Sequence, residues 1–227
     1  MRFVNSVREF IKSYSEEVAE VAGVEMKLAS MRSEEVNELA KIIDKLLYLE
    51  ANESIKQLYT ENFDLVIDLI RAVKTETKQD FAGIRARGNQ LTIVTLTADQ
   101  FARVWGTTGK LDFTYTATST GAVDYLGTTT NPETVVEESG YLILGFQELS
   151  ISPKINKCQL TKNGDKYIWN NIDFEADENF YVAALTEPWF FPPESNFHVQ
   201  MNFYKTGKVE LRPIGIRAVQ AKEIMNL

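Results

Sequence analysis

The side chains that most often carry acid–base, nucleophilic or zinc chemistry are scarce in this sequence. It contains one histidine, His198, and one cysteine, Cys158. Zinc sites are built from several cysteines and histidines, so none is expected. Strand-like alternation places His198 on the same side as the polar residues Gln200 and Asn202. We therefore expect His198 to be a surface residue without a catalytic role.

Carboxylates are the remaining candidates for catalysis, because a hydrolase can work with a pair of them. Glu137, Glu138, Glu148 and Asp173 are candidates that no motif pairs with one another. The glycine patterns of phosphate loops, dinucleotide-binding turns and serine-nucleophile elbows do not occur in the sequence. The sequence therefore favours a protein that is not an enzyme and predicts no cofactor.

The densest acidic cluster has the residue types that calcium prefers. Asp173, Glu175 and Asp177 lie at alternate positions and are the calcium candidates of this chain. The EF-hand pattern fails, because counting from Asp173 the sixth residue is Glu178 instead of glycine and the twelfth is Ala184 instead of glutamate. A solvated acidic turn and a calcium site at a loop or subunit contact are the two interpretations.

Three adjacent aromatic residues, Trp189, Phe190 and Phe191, lie among the prolines of the segment 187–194. Three exposed aromatic side chains would form a large apolar patch. The segment fits core packing, a contact between subunits, or a platform on which Trp189 stacks against a sugar. We expect it to form a corner between strands, and we assign the three residues to a subunit interface.

The overall charge and hydropathy narrow the class of protein. The net charge is −8 and the isoelectric point is near 4.9, which disfavours direct nucleic-acid binding. No run of about 20 apolar residues is present, and residues 1–18 lack the apolar core of a secretion signal. We therefore expect a protein without a membrane span that folds in the cytoplasm.

Apolar residues at spacings of three and four predict amphipathic helices over 2–24, 33–50 and 53–74. Their apolar stripes fit either a hairpin within the chain or a bundle between subunits. From the first helix we assign to a subunit interface the residues Phe3, Val7, Phe10 and Tyr14.

The polar run 74–80 marks the predicted domain boundary. It divides the chain into a helical assembly segment, 1–80, and a β-domain, 81–227. Beyond residue 80 the apolar period changes from 3.6 to 2, which predicts a series of short strands. These runs are 91–97, 110–117, 140–147, 156–161, 166–174, 179–186, 196–204 and 208–218.

Turn signals separate several of the predicted strands. Asn163-Gly164 predicts a hairpin, the run 205–208 predicts a second one between the last two strands, and 105–138 reads as a long threonine-rich loop. The predicted fold class is α+β, with N-terminal amphipathic helices followed by an antiparallel β-sandwich of the jelly-roll kind.

In this outline the chain resembles the jelly-roll structural proteins of virus and phage capsids. The resemblance covers mainly residues 90–218, and the nearest motifs are YLILGF at 141–146 and LRPIG at 211–215. It implies a virion protein whose partners are copies of itself and other virion proteins. Many capsid proteins carry a basic arm, whereas this N-terminus is acidic, so the resemblance does not imply genome binding. The alternative is a receptor- or carbohydrate-binding β-domain on a helical oligomerisation stalk.

Overall fold

The computed structural model describes residues 52–80, 91–96, 113–136, 139–150, 152–166, 169–177 and 180–220. Outside these residues lie the predicted helices over 2–24 and 33–50, with the proposed interface residues Phe3, Val7, Phe10 and Tyr14. The described residues form two helices and two antiparallel β-sheets. The antiparallel β class predicted from the period of two is therefore confirmed.

Twelve strands lie in the described part of the chain. They are β1 (Leu91–Thr95), β2 (Thr114–Ala117), β3 (Gly121–Leu126), β4 (Glu133–Thr134), β5 (Ser139–Glu148), β6 (Ile155–Lys162), β7 (Asp165–Lys166), β8 (Asn170–Asn171), β9 (Glu175–Asp177), β10 (Phe180–Phe191), β11 (Asn196–Phe203) and β12 (Gly207–Gln220). The first sheet has the order β1-β12-β5-β10-β9, and β2 also pairs with β12. The second sheet has the order β3-β11-β6-β7, and β4 and β8 add to β11 and β6.

The strand pairs are nested along the chain. β1 pairs with β12, β3 with β11, β5 with β10, and β6 with β7. The innermost pair closes through Asn163 and Gly164, whose φ angles of 49° and 89° confirm the predicted hairpin turn. These eight strands therefore form one long antiparallel ribbon, and its successive pairs alternate between the two sheets.

The two sheets face each other across one hydrophobic core. Phe191 of β10 stacks on Phe197 of β11, with ring centroids 4.1 Å apart. Tyr125 of β3 donates its hydroxyl hydrogen to the carbonyl oxygen of Leu211 in β12. Burial raises the pKa of Tyr125 well above its ordinary value, so the phenol stays protonated and keeps this bond between the sheets.

Strand β5 is buried on both of its faces. Tyr141 and Ile143 belong to the core between the sheets, whereas Leu142 and Leu144 belong to a second cluster on the outer face of the first sheet. A continuous apolar run is typical of a strand that is covered on both sides. The second cluster requires a further layer over that sheet.

Two helices, α1 (Glu53–Glu61) and α2 (Phe63–Asp80), supply this layer. Phe63 and Val66 are buried against apolar residues of the first sheet, among them Ile216. Residues 55–73 therefore pack on their own sheet, and neither the hairpin nor the subunit bundle is needed to cover their apolar stripe. The division of the chain at residue 80 stays a prediction.

The helix boundaries differ from the predicted span 53–74. Asn52 caps α1, because its side-chain Oδ1 accepts a hydrogen bond from the backbone N–H of Ile55 at 2.9 Å. Asn62 ends α1, and its Nδ2 donates to the carbonyl oxygen of Leu58 at 2.8 Å. Helix α2 then continues through the polar run 74–80, because the loss of an apolar stripe does not itself end a helix.

No helix of the described residues is long and apolar enough to cross a membrane.

Two glycines permit close approach between strands of the first sheet. A Cβ on Gly215 would lie 2.1 Å from the carbonyl oxygen of Leu142, and one on Gly145 would lie 2.3 Å from that of Ala183. Both positions adjoin register shifts of β5 with its neighbours. Only glycine fits the backbone at these two points.

Two predictions between the strands are wrong. The run 205–208 is not a hairpin, because β11 and β12 belong to different sheets and the turn carries the chain from one sheet to the other. The interval 105–138 is not one loop, because β3 and β4 lie within it, beside β2, which falls in the predicted strand 110–117. Threonine is well suited to strands, so its abundance was a poor sign of a loop.

The helix layer can be tested through Tyr59, which is 2% exposed and donates its hydroxyl hydrogen to the carbonyl oxygen of Gly215 at 3.0 Å. Tyr59→Phe should lower the free energy of unfolding by about 1–3 kcal/mol, because it leaves a buried acceptor without this partner. Urea denaturation measures the change. The matched control is Tyr204→Phe, which removes a similar bond from a side chain that is 42% exposed. Equal losses in the two variants would contradict the packing of α1 on the sheet.

Candidate functional site

A pocket of about 350 Å³ lies where three segments meet at one end of the second sheet. The segments are the entry to β6, the chain after β8 and the chain after β11. The residues that line the pocket are Pro153, Ile155, Asn156, Ile172, Asp173, Phe174 and Tyr204. The pocket is open to solvent, so a ligand reaches it without any movement of the chain.

Backbone hydrogen bonds fix the three segments relative to one another. The N–H of Tyr204 donates to the carbonyl oxygen of Lys154 at 2.9 Å, and the N–H of Ile172 donates to that of Asn156 at 2.9 Å. The hydroxyl of Tyr204 also donates to the carbonyl oxygen of Pro153. The pocket walls are thus held by the fold before any ligand arrives.

The lining combines aromatic and polar groups. Tyr204 and Asp173 are exposed, and Asn156 and Phe174 are half-buried. The side-chain oxygen of Asn156 accepts a hydrogen bond from Nδ2 of Asn202 at 2.9 Å, which turns its own N–H₂ group away from that contact. The pocket therefore offers apolar ring surface, a carboxylate acceptor and an amide donor.

Sequence reasoning singled out Asp173 for calcium but missed Tyr204, Phe174 and Asn156. The available signal was the position of Tyr204 at the end of an alternating strand, directly before a turn. The partners of Tyr204 come from segments that are distant in sequence, so no local pattern identifies them.

The predicted calcium site remains a prediction. Asp173 is exposed on the pocket rim, and the side chains of Glu175 and Asp177 lie outside what the structure describes. Among the side chains that it does describe, no three acidic, histidine or cysteine residues are grouped to hold a metal ion.

The prediction that His198 lies on the surface is wrong. His198 is 4% exposed, and its Nε2 lies 2.7 Å from Oδ1 of Asp124 on the neighbouring strand. The same oxygen accepts a hydrogen bond from Nε2 of Gln200 at 3.0 Å. The position of His198 in the sheet is consistent with this burial, because β11 lies between β3 and β6 and is not an edge strand. Asp124 thus anchors the imidazole on the polar face of the second sheet.

The aromatic segment is not a corner, because Trp189, Phe190 and Phe191 all belong to β10. Trp189 is 5% exposed and meets Phe146 edge-on at 5.6 Å, and Phe191 is fully buried. Phe190 faces the helix side of the sheet and is half-buried. Core packing accounts for Trp189 and Phe191, and Trp189 is too enclosed to serve as a sugar platform. Contact of this segment with another subunit is untested.

Lys162 of β6 connects the second sheet to this aromatic strand. Its Nζ donates to the carbonyl oxygen of Phe190 at 2.7 Å and lies 5.8 Å from the centre of the Phe191 ring. Partial burial lowers the pKa of Lys162. The ammonium group therefore supplies a polar bond between the sheets beside their apolar core.

Glu148 and Cys158 are further buried ionisable residues outside the pocket. Glu148 is fully buried at the end of β5, its Oε2 accepts a hydrogen bond from Lys154 N at 3.3 Å, and its Oε1 has no hydrogen-bond partner among the described residues. Burial raises the pKa of Glu148, and the nearby Lys154 opposes this only in part. Burial also raises the pKa of the Cys158 thiol to about 12, which keeps it unreactive.

No protein family and no curated protein matches this chain. Among solved structures, it has a weak similarity to the crystal structure of dimeric latent PorU from Porphyromonas gingivalis, with 17% identity and a TM-score of 0.24. The match covers 61% of this chain and only 13% of the PorU chain. A similarity at this level supports no conclusion about fold or function.

The burial of Trp189 predicts a loss of stability on truncation. Trp189→Ala should lower the free energy of unfolding by about 3–5 kcal/mol, because it leaves a cavity in the core between the sheets. Urea denaturation of dilute protein provides the value. Phe190→Ala, at the half-buried neighbouring position, should cost less. If Trp189→Ala left the urea midpoint unchanged but lowered the mass of the oligomer, Trp189 would be assigned to a subunit interface and not to the core.

The buried carboxyl of Glu148 predicts a pH dependence of stability. The raised pKa of Glu148 means that the folded state binds this proton more tightly than the unfolded state does. The stabilisation that the bound proton gives the folded state is therefore complete below about pH 4.5, the ordinary pKa, and it is lost as the pH rises through the raised pKa. The unfolding free energy of the wild type minus that of Glu148→Gln should therefore decrease from acidic to neutral pH. Urea denaturation across this range tests the slope. Glu187→Gln, which removes an exposed carboxyl, is the control, and the same slope in both variants would contradict the assignment.

Proposed function

We propose that the chain forms a jelly-roll domain and acts as a self-assembling structural subunit of the capsid or virion class. The observation that carries the proposal is the nested strand pairing. Its eight strands contribute four consecutive neighbours to each six-stranded sheet, β1-β12-β5-β10 in the first and β3-β11-β6-β7 in the second. A ribbon of eight antiparallel strands wrapped into two layers is the arrangement of jelly rolls, which recur in viral capsids, lectins and cupins.

Architecture alone does not decide among these classes, because one fold hosts many functions. The cupin class builds its metal site from several histidines, whereas His198 is the single histidine of this sequence and is committed to Asp124. Assembly and ligand binding remain, and they are compatible with each other in one protein.

The distribution of exposed apolar residues supports assembly. Val136, just before β5, and Leu149, just after it, are each 42% exposed. A strand of this length separates them by roughly 30 Å, so they lie at opposite ends of the subunit. When one end of a subunit contacts the other end of its neighbour, the contact is heterologous, and it builds a ring where the rotation closes and an open filament where it does not. The proposed partners are copies of this chain and other virion proteins, and the proposed location is the virion.

Assembly is tested by light scattering of the full chain after size exclusion and by electron microscopy. The wild type should give a mass that is several times the 25.8 kDa of one chain. Leu149→Asp and Val136→Asp should each lower that mass, because they place a charge in an apolar contact. Thr129→Asp adds the same charge at an exposed polar position and should leave the mass unchanged. A wild type that stays monomeric at its highest soluble concentration and forms no particles would refute the proposal.

A further inference from the structure

The pocket beside Tyr204 is a solvent-open depression that is large enough for a small molecule and has both aromatic and polar lining residues. Its volume of about 350 Å³ lies at the lower end of the range of roughly 300–1,000 Å³ that is usual for ligand pockets. Phe174 and Tyr204 contribute ring surface, while Asp173 and Asn156 contribute polar groups. A ligand that fits must therefore be small, with one apolar face and several hydrogen-bonding groups at its edge.

The charges around the pocket restrict the ligand further. Asp173 is the charged member of the lining, and its carboxylate disfavours an anion. Aromatic rings beside a carboxylate also suit a cation. However, Nζ of Lys205 already lies 5.3 Å from the centre of the Tyr204 ring, and a second positive charge there would be repelled. A neutral ligand is repelled by neither charge, and it can stack on the face of the Tyr204 ring that Lys205 leaves open.

A pyranose ring has the required features. Its C–H groups form an apolar face that packs on an aromatic ring, and its hydroxyls both donate and accept hydrogen bonds. A carboxylate accepts from hydroxyls, and the N–H₂ group of an asparagine donates to them. Asp173 and Asn156 are complementary in this sense, and Asn202 holds the amide of Asn156 in a fixed orientation.

We propose that the pocket lined by Tyr204, Phe174, Asp173 and Asn156 binds the ring of a neutral carbohydrate, in free form or as the end of a glycan. Tyr204 provides the stacking surface, Asp173 accepts from ring hydroxyls, and Asn156 donates to one. The proposed carbohydrate site does not depend on self-assembly, because it is formed by the pocket residues and not by the exposed apolar residues at the ends of β5.

The test uses neutral methyl hexopyranosides, those of glucose, galactose, mannose and N-acetylglucosamine, titrated into the full-length protein and followed by NMR. A ligand of this size in an open pocket should bind with a dissociation constant on the order of 1 mM. At least one sugar should shift the side-chain amide signals of Asn156. No shift with any of the four sugars would overturn the proposal.

Variants assign the binding to the pocket. Tyr204→Ala and Asp173→Asn should each weaken binding about 10-fold or more, whereas Tyr204→Phe keeps the ring and should bind within about 2-fold of the wild type. Both altered side chains are exposed, and unchanged thermal unfolding confirms that the variants fold. Equal affinity in Tyr204→Ala and the wild type would refute the site.

Two further arms separate this site from a cation site and from assembly. Tetramethylammonium, the cationic probe, should not shift the side-chain amide signals of Asn156. Saturable binding of tetramethylammonium, without binding of any sugar, would overturn the assignment of a neutral ligand. The titration is repeated with Leu149→Asp, the variant designed to weaken assembly. Sugar binding that persists in Leu149→Asp supports the carbohydrate site even if the protein does not assemble. Absence of sugar binding in both the wild type and Leu149→Asp refutes the carbohydrate site.

Discussion

The burial of β5 on both faces is the constraint on which the rest of this structure depends. One face supplies Tyr141 and Ile143 to the core between the sheets, and the other supplies Leu142 and Leu144 to the cluster beneath the helices. A strand with two apolar faces is stable only when a layer covers each of them. The second sheet and the helix layer are therefore both consequences of the same short run of sequence, and β10 and β12 are fixed as its neighbours in the first sheet.

Polar bonds between the layers accompany this apolar packing. The hydroxyl of Tyr125 and the ammonium group of Lys162 each reach a backbone carbonyl of the opposite sheet. Apolar packing alone tolerates small shifts in position, whereas a buried hydrogen bond holds only in one register, because a lost partner is costly. These bonds specify how the sheets align. Glu148 differs from these two residues, because Oε1 of its buried carboxylate has no hydrogen-bond partner among the described residues. The charged form of Glu148 therefore lowers the stability of the fold.

Sequence reasoning succeeded where the signal is local. The period of two gave the antiparallel class, the run 140–147 gave a strand, and the turn at Asn163-Gly164 gave the innermost hairpin. It failed where a neighbour distant in sequence decides the outcome. Alternation put His198 on the polar face correctly, but the flanking strands that bury it were not visible. The pocket could not be predicted from the sequence for the same reason, because the residues that contact Tyr204 come close to it only after the sheets have formed.

The nested pairing also governs the order in which the fold can be completed. The outermost pair joins Leu91 to Gln220, so the first described strand has no partner until the last one has left the ribosome. Such non-local contacts close long loops before they gain any stabilisation, which slows folding. The hairpin at Asn163-Gly164 needs no distant partner and is suited to form first. Folding would then proceed outward from the middle of the β-region, with β1 unpaired until β12 has emerged, a state in which aggregation competes with folding.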